Sequence, residues 1–312
     1  MKRVFCLLTL AAVLAFTAAC NKIDTVEEEC TLSFKIEAPD ASVVKSISDG
    51  LQADHLYYVV FKTDAAGTKT NVEDTLCNVT FPYSLTLKLA KGFSYKVFFF
   101  AQNTALQAYT VTTANGYSAI LEADYSKILT GDEAADAFFA YKDITVNGAI
   151  SETVTLKRAV AQINLGISDY DIFSETAPSP LSKVIVSYKD IPSKVQLLDG
   201  SVIATTGTSA AVAFPEANSP MTDPSVLVVG TDSYKYLSMN YILAPKPSTT
   251  LFDATYVFKA ASGSEIASVV VSNVPAQMNH RTNILGQILT GSAVFNIVID
   301  ETFDTPDHQA SF

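Results

Sequence analysis

The stretch "ETVTLKRAVAQINLGIS", Glu152 to Ser168, decides the fold. Its first half places Val154 and Leu156 on one side of an extended chain. Its second half places Ile163, Leu165 and Ile167 on the side of opposite parity. Successive strand side chains point to opposite faces, so a strand cannot change its buried face without a bulge, a bend or a change of core. The switch falls at Arg158 to Ala161, near the middle of a 312-residue chain. It reads as the last strand of one sandwich running into the first strand of another. The alternative is a bulged strand within one large domain.

Outward from this stretch the period is two almost everywhere. Phe93, Tyr95, Val97 and Phe99 alternate with Ser94 and Lys96. Leu237, Met239, Tyr241 and Leu243 alternate with Ser238 and Asn240, and Phe295, Ile297 and Ile299 share one face near the end. Further β-rich runs begin at Leu56, Ser84, Lys183, Ala254 and Ala267, separated by Gly, Pro, Asn, Asp and Ser. This spacing predicts an all-β protein of antiparallel sandwiches. The one helical segment expected is a turn or two in "DEAADAFFA", Asp132 to Ala140.

The N-terminus sets the location. Lys2 and Arg3 precede an apolar run from Val4 to Phe16, and the small residues Thr17, Ala18 and Ala19 follow, as in a cleaved signal peptide. The run is shorter than the roughly 20 residues that span a bilayer. Cys20 directly after it resembles the lipobox of bacterial lipoproteins, with Thr17 where leucine is usual. Acyl chains on Cys20 would anchor the protein, each buried methylene adding about 0.8 kcal/mol. The other reading is a secreted protein cut at Ala19. Asp24, Glu27, Glu28 and Glu29 then form an acidic cluster, read either as a solvated tether or as similar to the surface-export signal of Bacteroidetes-type lipoproteins. The expected organisation is a signal peptide over 1–19, a lipidated tether over 20–29 and sandwiches over 30–159 and 160–312.

Removing residues 1–19 takes away two basic residues and no acid, which makes the mature chain more acidic than the −11 of the full sequence. Such a charge disfavours nucleic acid and polybasic docking to anionic lipid. Cys30 and Cys77 are the cysteines left outside the signal and the anchor. Outside the cytoplasm they read as a disulfide or as two buried thiols.

Catalytic chemistry finds no pattern. His55, His280 and His308 fit neither HExxH nor a triad, and no phosphate-binding glycine loop or cofactor motif occurs. Asp300, Asp304, Asp307 and His308 could collect a hard cation, although such clusters are more often solvated. A hydrolase would need a carboxylate pair that nothing singles out. A surface glycan-binding lipoprotein of a nutrient uptake system is the rival function, with Tyr109, Tyr117 and Tyr125 in loop-like sequence as its candidate aromatics.

Four stretches together resemble the fimbrillin-like lipoproteins of Bacteroidales, which supply type V pilus subunits. They are "KSISDGLQADHLYYVVF" (Lys45 to Phe61), "VTLKRAVAQINLG" (Val154 to Gly166), "YKYLSMNYILAP" (Tyr234 to Pro245) and "NHRTNILGQILTGSAVFNIVIDETF" (Asn279 to Phe303). The resemblance implies two tandem transthyretin-like, Greek-key sandwiches at the outer membrane surface. It also implies assembly with other fimbrial subunits, or with itself, by strand donation. In that family a protease removes an early strand and a neighbour's segment fills the groove, a form of β-augmentation. Here that strand would be "CTLSFKIEA", Cys30 to Ala38, with Leu32, Phe34 and Ile36 as groove fillers. The candidate donor is the C-terminal strand with Phe295, Ile297 and Ile299, which reads otherwise as an ordinary closing strand. The family's cleavage site is an arginine before "SDG", where this chain has Lys45 and no arginine between Arg3 and Arg158. A cut at Lys45 is one outcome, and a subunit that stays uncut and anchored is the other. Asp24-Thr25-Val26 and Asp74-Thr75-Leu76 match a short O-glycosylation pattern of these bacteria, one that is common by chance.

Overall fold

The computed structural model describes residues 27–39, 52–206, 211–215, 224–291 and 293–302. The leader, Cys20, Lys45 and the C-terminal Asp304, Asp307 and His308 lie outside the described residues, as does the side chain of Asp300. The chain is all-β, with twenty-one described strands and a single α-helix among the described residues.

The first pair of sheets encloses the first core. Its smaller sheet runs β4 (Tyr83–Ala90), β1 (Glu29–Glu37), β9 (Ile150–Thr155). Its larger sheet runs β10 (Lys157–Arg158), β8 (Ala137–Thr145), β5 (Ser94–Gln102), β2 (His55–Thr63), β3 (Lys69–Asn78). Alternation does the sorting. On β4, Leu85, Leu87 and Leu89 point inward while Ser84, Thr86 and Lys88 are exposed. Opposite them lie Leu56, Tyr58 and Val60 of β2 with Tyr95, Val97 and Phe99 of β5.

The second pair builds the other core. One sheet runs β16 (Val226–Val229), β17 (Asp232–Ile242), β11 (Ala161–Ile167), β20 (His280–Gln287), β21 (Val294–Thr302). The other runs β15 (Val212–Phe214), β12 (Leu181–Lys189), β18 (Thr250–Ala260), β19 (Glu265–Ala276). Tyr188 centres this core, with Phe214 and Phe252 each 5.0 Å away between ring centroids. Gly166 and Gly286 are required here, because a Cβ would meet Tyr234 at 2.9 Å in the first case and the Val294 carbonyl at 1.9 Å in the second.

The parity switch is a change of core. Val154 and Leu156 enter the first core, while Ile163, Leu165 and Ile167 enter the second. Between them the chain visits three sheets, through β9, β10 and β11. The turn is fixed by a buried ion pair in which Arg158 Nε donates to Asp136 Oδ2 at 2.7 Å. The Arg158 backbone N–H donates to Asn279 Oδ1 at 3.1 Å, linking the junction to the start of β20.

The two halves are not beads on a string. A fifth sheet runs β14 (Val202–Thr205), β13 (Pro192–Gln196), β7 (Ser118–Ala123), β6 (Tyr109–Ala114), joining strands from either side of the switch. Strands β2 and β5 of the larger sheet in the first pair are also buried on both faces along their middles, since Val59, Phe61, Phe98 and Phe100 belong to the second core. The adjacent aromatics of "FFFA" therefore serve two cores at once.

The helical turn expected between Asp132 and Ala140 is present but short. Asp132 caps a single 3-10 turn at Glu133–Ala135, and Ala137 to Phe139 are already in β8. Alanine is a good helix former, but propensity is a weak force against tertiary context, and pairing with β5 and β10 overrides it. The α-helix of the described residues, α1 (Tyr170–Thr176), follows β11. Asp169 before it is fully buried and accepts the backbone N–H groups of Ile288, Leu289 and Thr290 at 2.8–3.2 Å. This carboxylate holds the loop that leads into β21.

Candidate functional site

The N-terminal strand β1 is the middle strand of the smaller sheet in the first pair. "CTLSFKIE" alternates apolar and polar residues, so one face can be buried while the other meets solvent. Leu32, Phe34 and Ile36 are 0%, 1% and 0% exposed. Phe34 meets Phe99 edge-on, with ring centroids 5.6 Å apart. The flanks of the slot are β4, antiparallel from Glu29↔Ala90 to Ile36↔Tyr83, and β9, parallel from Leu32↔Ile150 to Glu37↔Thr155. Leu85, Leu87 and Leu89 line one side and Val154 and Leu156 the other, over a floor that includes Val97 and Phe99. Without β1, β4 and β9 would have no mutual pairing.

Of the acidic cluster read as a solvated tether, Glu27, Glu28 and Glu29 are exposed, and Glu29 already belongs to β1. Glu27 pairs with Lys62 at 3.1 Å and Glu28 with Lys91 at 3.0 Å, while Glu29 begins β1. Lys62 Nζ also stands 3.4 Å above the Phe93 ring centroid. Hydrogen bonding to Glu28, with its charge, raises the pKa of Lys91. At the other end, the Leu156 N–H donates to the Glu37 carbonyl at 2.9 Å. These clamps had no sequence signal beyond the acidic cluster itself, because their lysines lie 35 and 63 residues away.

Cys30 and Cys77 are free thiols, which corrects the bridged reading. Cys30 lies opposite Leu89, whereas Cys77 lies against the Tyr83 hydroxyl, six residues away along β4. No bridge in this arrangement locks β1 in place.

The C-terminal strand β21 closes its own sheet as an edge, paired with β20. Phe295 and Ile297 pack partly buried against the second core, and Ile299 is 37% exposed. Groove fillers and candidate donor thus sit in different sandwiches of one molecule.

The aromatics read as candidate sugar platforms are largely structural. Tyr109 and Tyr125 are buried, and their hydroxyls donate to the carbonyls of Ala135 at 2.7 Å and Pro192 at 2.5 Å. Burial pushes both phenols well above their usual range. Tyr117 is half-buried against Phe61 at 5.7 Å. The histidines are scattered, with His55 on Asp54 and His280 on the Met278 carbonyl. Among the described residues no group of acidic, histidine or cysteine side chains is placed to hold a metal, and no helix is long and apolar enough to cross a membrane.

Comparison with known proteins places the chain by family. No curated protein matches the sequence. Among solved structures, the chain is similar to a protein from Bacteroides thetaiotaomicron assigned provisionally to polysaccharide binding, at 13% identity and TM-score 0.49, covering 87% of this chain and 96% of that one. It is similar to the tip fimbrial protein of Porphyromonas gingivalis at 12% identity and TM-score 0.46, covering 87% and 99%. It is similar to the fimbrial anchor protein of the same organism at 11% identity and TM-score 0.42, covering 87% and 98%. A family model, described as a family of unknown function, matches residues 24–311. The chain belongs to the DUF6562 family.

Proposed function

We propose that this chain is a non-enzymatic, lipid-anchored cell-surface subunit of fimbrial or adhesin type, whose N-terminal strand β1 is the replaceable strand of the first sandwich. The observation that carries this reading is the seat of β1. It is an inserted middle strand with three fully buried apolar side chains spaced two apart, reached from β2 through a segment containing Lys45. Fully burying such side chains contributes about 1.5–3 kcal/mol each, so the strand would not leave without a substitute. A second copy, or another subunit, can supply one with the same period, as Phe295, Ile297 and Ile299 do in β21. Residues 30–159 would then form the accepting unit and 160–312 the donating one, with the fifth sheet holding them together. Cys20 would carry the acyl chains at the outer membrane.

The N-terminus of the protein as it occurs on cells tests the anchoring. An acylated Cys20 supports a retained anchor, and a free Ser46 supports removal of β1 after Lys45. An unmodified N-terminus at Cys20 would overturn the lipid anchor. The glycan-binding rival, in the form that used Tyr109 and Tyr125, loses its residues to the core.

A further inference from the structure

Lys35, Lys62, Lys91, Lys96, Lys142 and Lys194 each hold a carboxylate at 2.6–3.3 Å. Lys246 is placed differently. It lies in the loop between β17 and β18 and is half-buried. Its Nζ stands 4.2 Å from the ring centroid of Phe139, a β8 residue of the other half of the chain. Among the described residues no carboxylate comes within ion-pair reach of it.

The stem of this side chain is fixed. Pro245 and Pro247 flank it and restrict the backbone. The Lys246 N–H donates to the Gly200 carbonyl at 3.1 Å, and the Met278 N–H donates to the Pro245 carbonyl at 2.9 Å. Gly200 approaches so closely that a Cβ there would meet Lys246 Cγ at 2.1 Å. The amine is thereby carried over an aromatic face at the seam between the halves, partly out of water.

Burial, the largest influence on this amine, holds it down to about 8. Asp199, from the turn between β13 and β14, works against the shift, and Lys157 of β10 adds to it. The Asp199 carboxylate is itself engaged, accepting the Ser201 N–H at 2.8 Å and the Ser201 hydroxyl at 2.7 Å. A lysine desolvated against apolar surface, or set beside another cation, is the form in which this side chain acts as a nucleophile.

The surroundings select the reagent. No second acid or base acts on the amine beyond Asp199 and Lys157, so nothing assists the departure of a poor leaving group from an ester or amide. Burial also disfavours an anionic product such as a carbamate. An aldehyde needs neither, because it condenses unaided with a neutral amine and leaves a neutral imine.

We propose that Lys246 is a reversible covalent capture site for aldehydes, the open-chain forms of reducing sugars among them. The Nζ lone pair bonds to the carbonyl carbon while the C=O π pair moves to oxygen. Protons pass from nitrogen to that oxygen, water leaves, and the C=N bond forms; hydrolysis reverses the sequence without any change of oxidation state. The site lies outside the slot of β1 and is independent of strand exchange.

Brief exposure of the full mature protein to glycolaldehyde, trapping with borohydride and peptide mass spectrometry test the proposal. At pH 7.5 about a quarter of an amine titrating near 8 is neutral, against about one in a thousand at 10.5. Lower basicity returns part of that gain. Lys246 should be labelled at least five-fold faster than Lys88, which is exposed on the outward face of β4, and the advantage should be gone by pH 9.5. Lys157→Gln should slow labelling of Lys246 at pH 7.5 and Asp199→Asn should speed it, with unchanged near-ultraviolet spectra confirming the fold. Labelling of Lys246 no faster than that of Lys88 at pH 7.5 would overturn the assignment. So would an advantage that persists undiminished at pH 9.5, or two variants that shift the rate in the same direction.

Discussion

Replacing Phe34 by alanine removes the largest side chain that β1 places in the first core. Phe34 is 1% exposed, lies between Leu32 and Ile36 on the same face and contacts Phe99 edge-on at 5.6 Å. Large-to-small changes of this type cost about 3–5 kcal/mol, because lost transfer energy and an unfilled cavity add together. The aromatic pair accounts for about 0.5–1.5 kcal/mol of that. The matched control is Lys35→Ala on the opposite face. Its ion pair with Glu37 is short, at 2.6 Å, but the lysine side chain is 56% exposed. Surface pairs contribute about 0–1 kcal/mol, so the control should fall within about 1 kcal/mol of the parent. Urea unfolding followed by tyrosine fluorescence reads both variants, and the denaturant slope must stay constant for the midpoints to be compared. If Phe34→Ala costs no more than Lys35→Ala, β1 is not seated as described, and the reasoning that makes it the groove filler is wrong.

Other consequences follow from the junction, the latch and the buried lysine. Asp136→Asn leaves Arg158 buried beside a neutral partner and should cost about 3–5 kcal/mol in chemical denaturation, whereas Asp136→Leu with Arg158→Met together should cost less. Asp169→Asn sets an amide against three backbone donors; it should cost about 1–3 kcal/mol and speed hydrogen exchange at Ile288, Leu289 and Thr290 before the rest of the second sandwich. For Lys246, the folded value near 8 lies below the ordinary 10.5. The unfolded chain therefore binds more protons between these values, and stability should rise with pH across that window. Below it the lysine is charged in both states and the burial penalty remains in full. Lys246→Met should remove this rise from the pH profile of urea midpoints, and an unchanged profile would contradict the environment assigned to Lys246.

Local alternation made much of this architecture legible before any coordinates. Leu32, Phe34 and Ile36 against Thr31, Ser33 and Lys35 form a half-buried strand in the sequence and in the structure. The parity change around Arg158 is likewise visible from side-chain period alone, and it marks the passage between cores. What escaped is non-local. Asp136 and Arg158 are 22 residues apart, Asp169 and Leu289 are 120 apart, and neither pair leaves a periodic trace. The fifth sheet depends on Val195 meeting Leu121 across the halves, which no local pattern encodes. Strand β5 also hid a fact, because a sheet buried on both faces replaces alternation with a run of aromatics.

The central claim is that the slot of β1 accepts another strand once its own is freed. Limited digestion with a lysine-specific protease, followed by native mass spectrometry of the cut protein, measures this directly. The account predicts a cut after Lys45, loss of the N-terminal fragment and multimers linked by exchanged strands. A protein cleanly cut there that stays monomeric with its fragment bound, or that unfolds when the fragment leaves instead of taking a replacement, would contradict it.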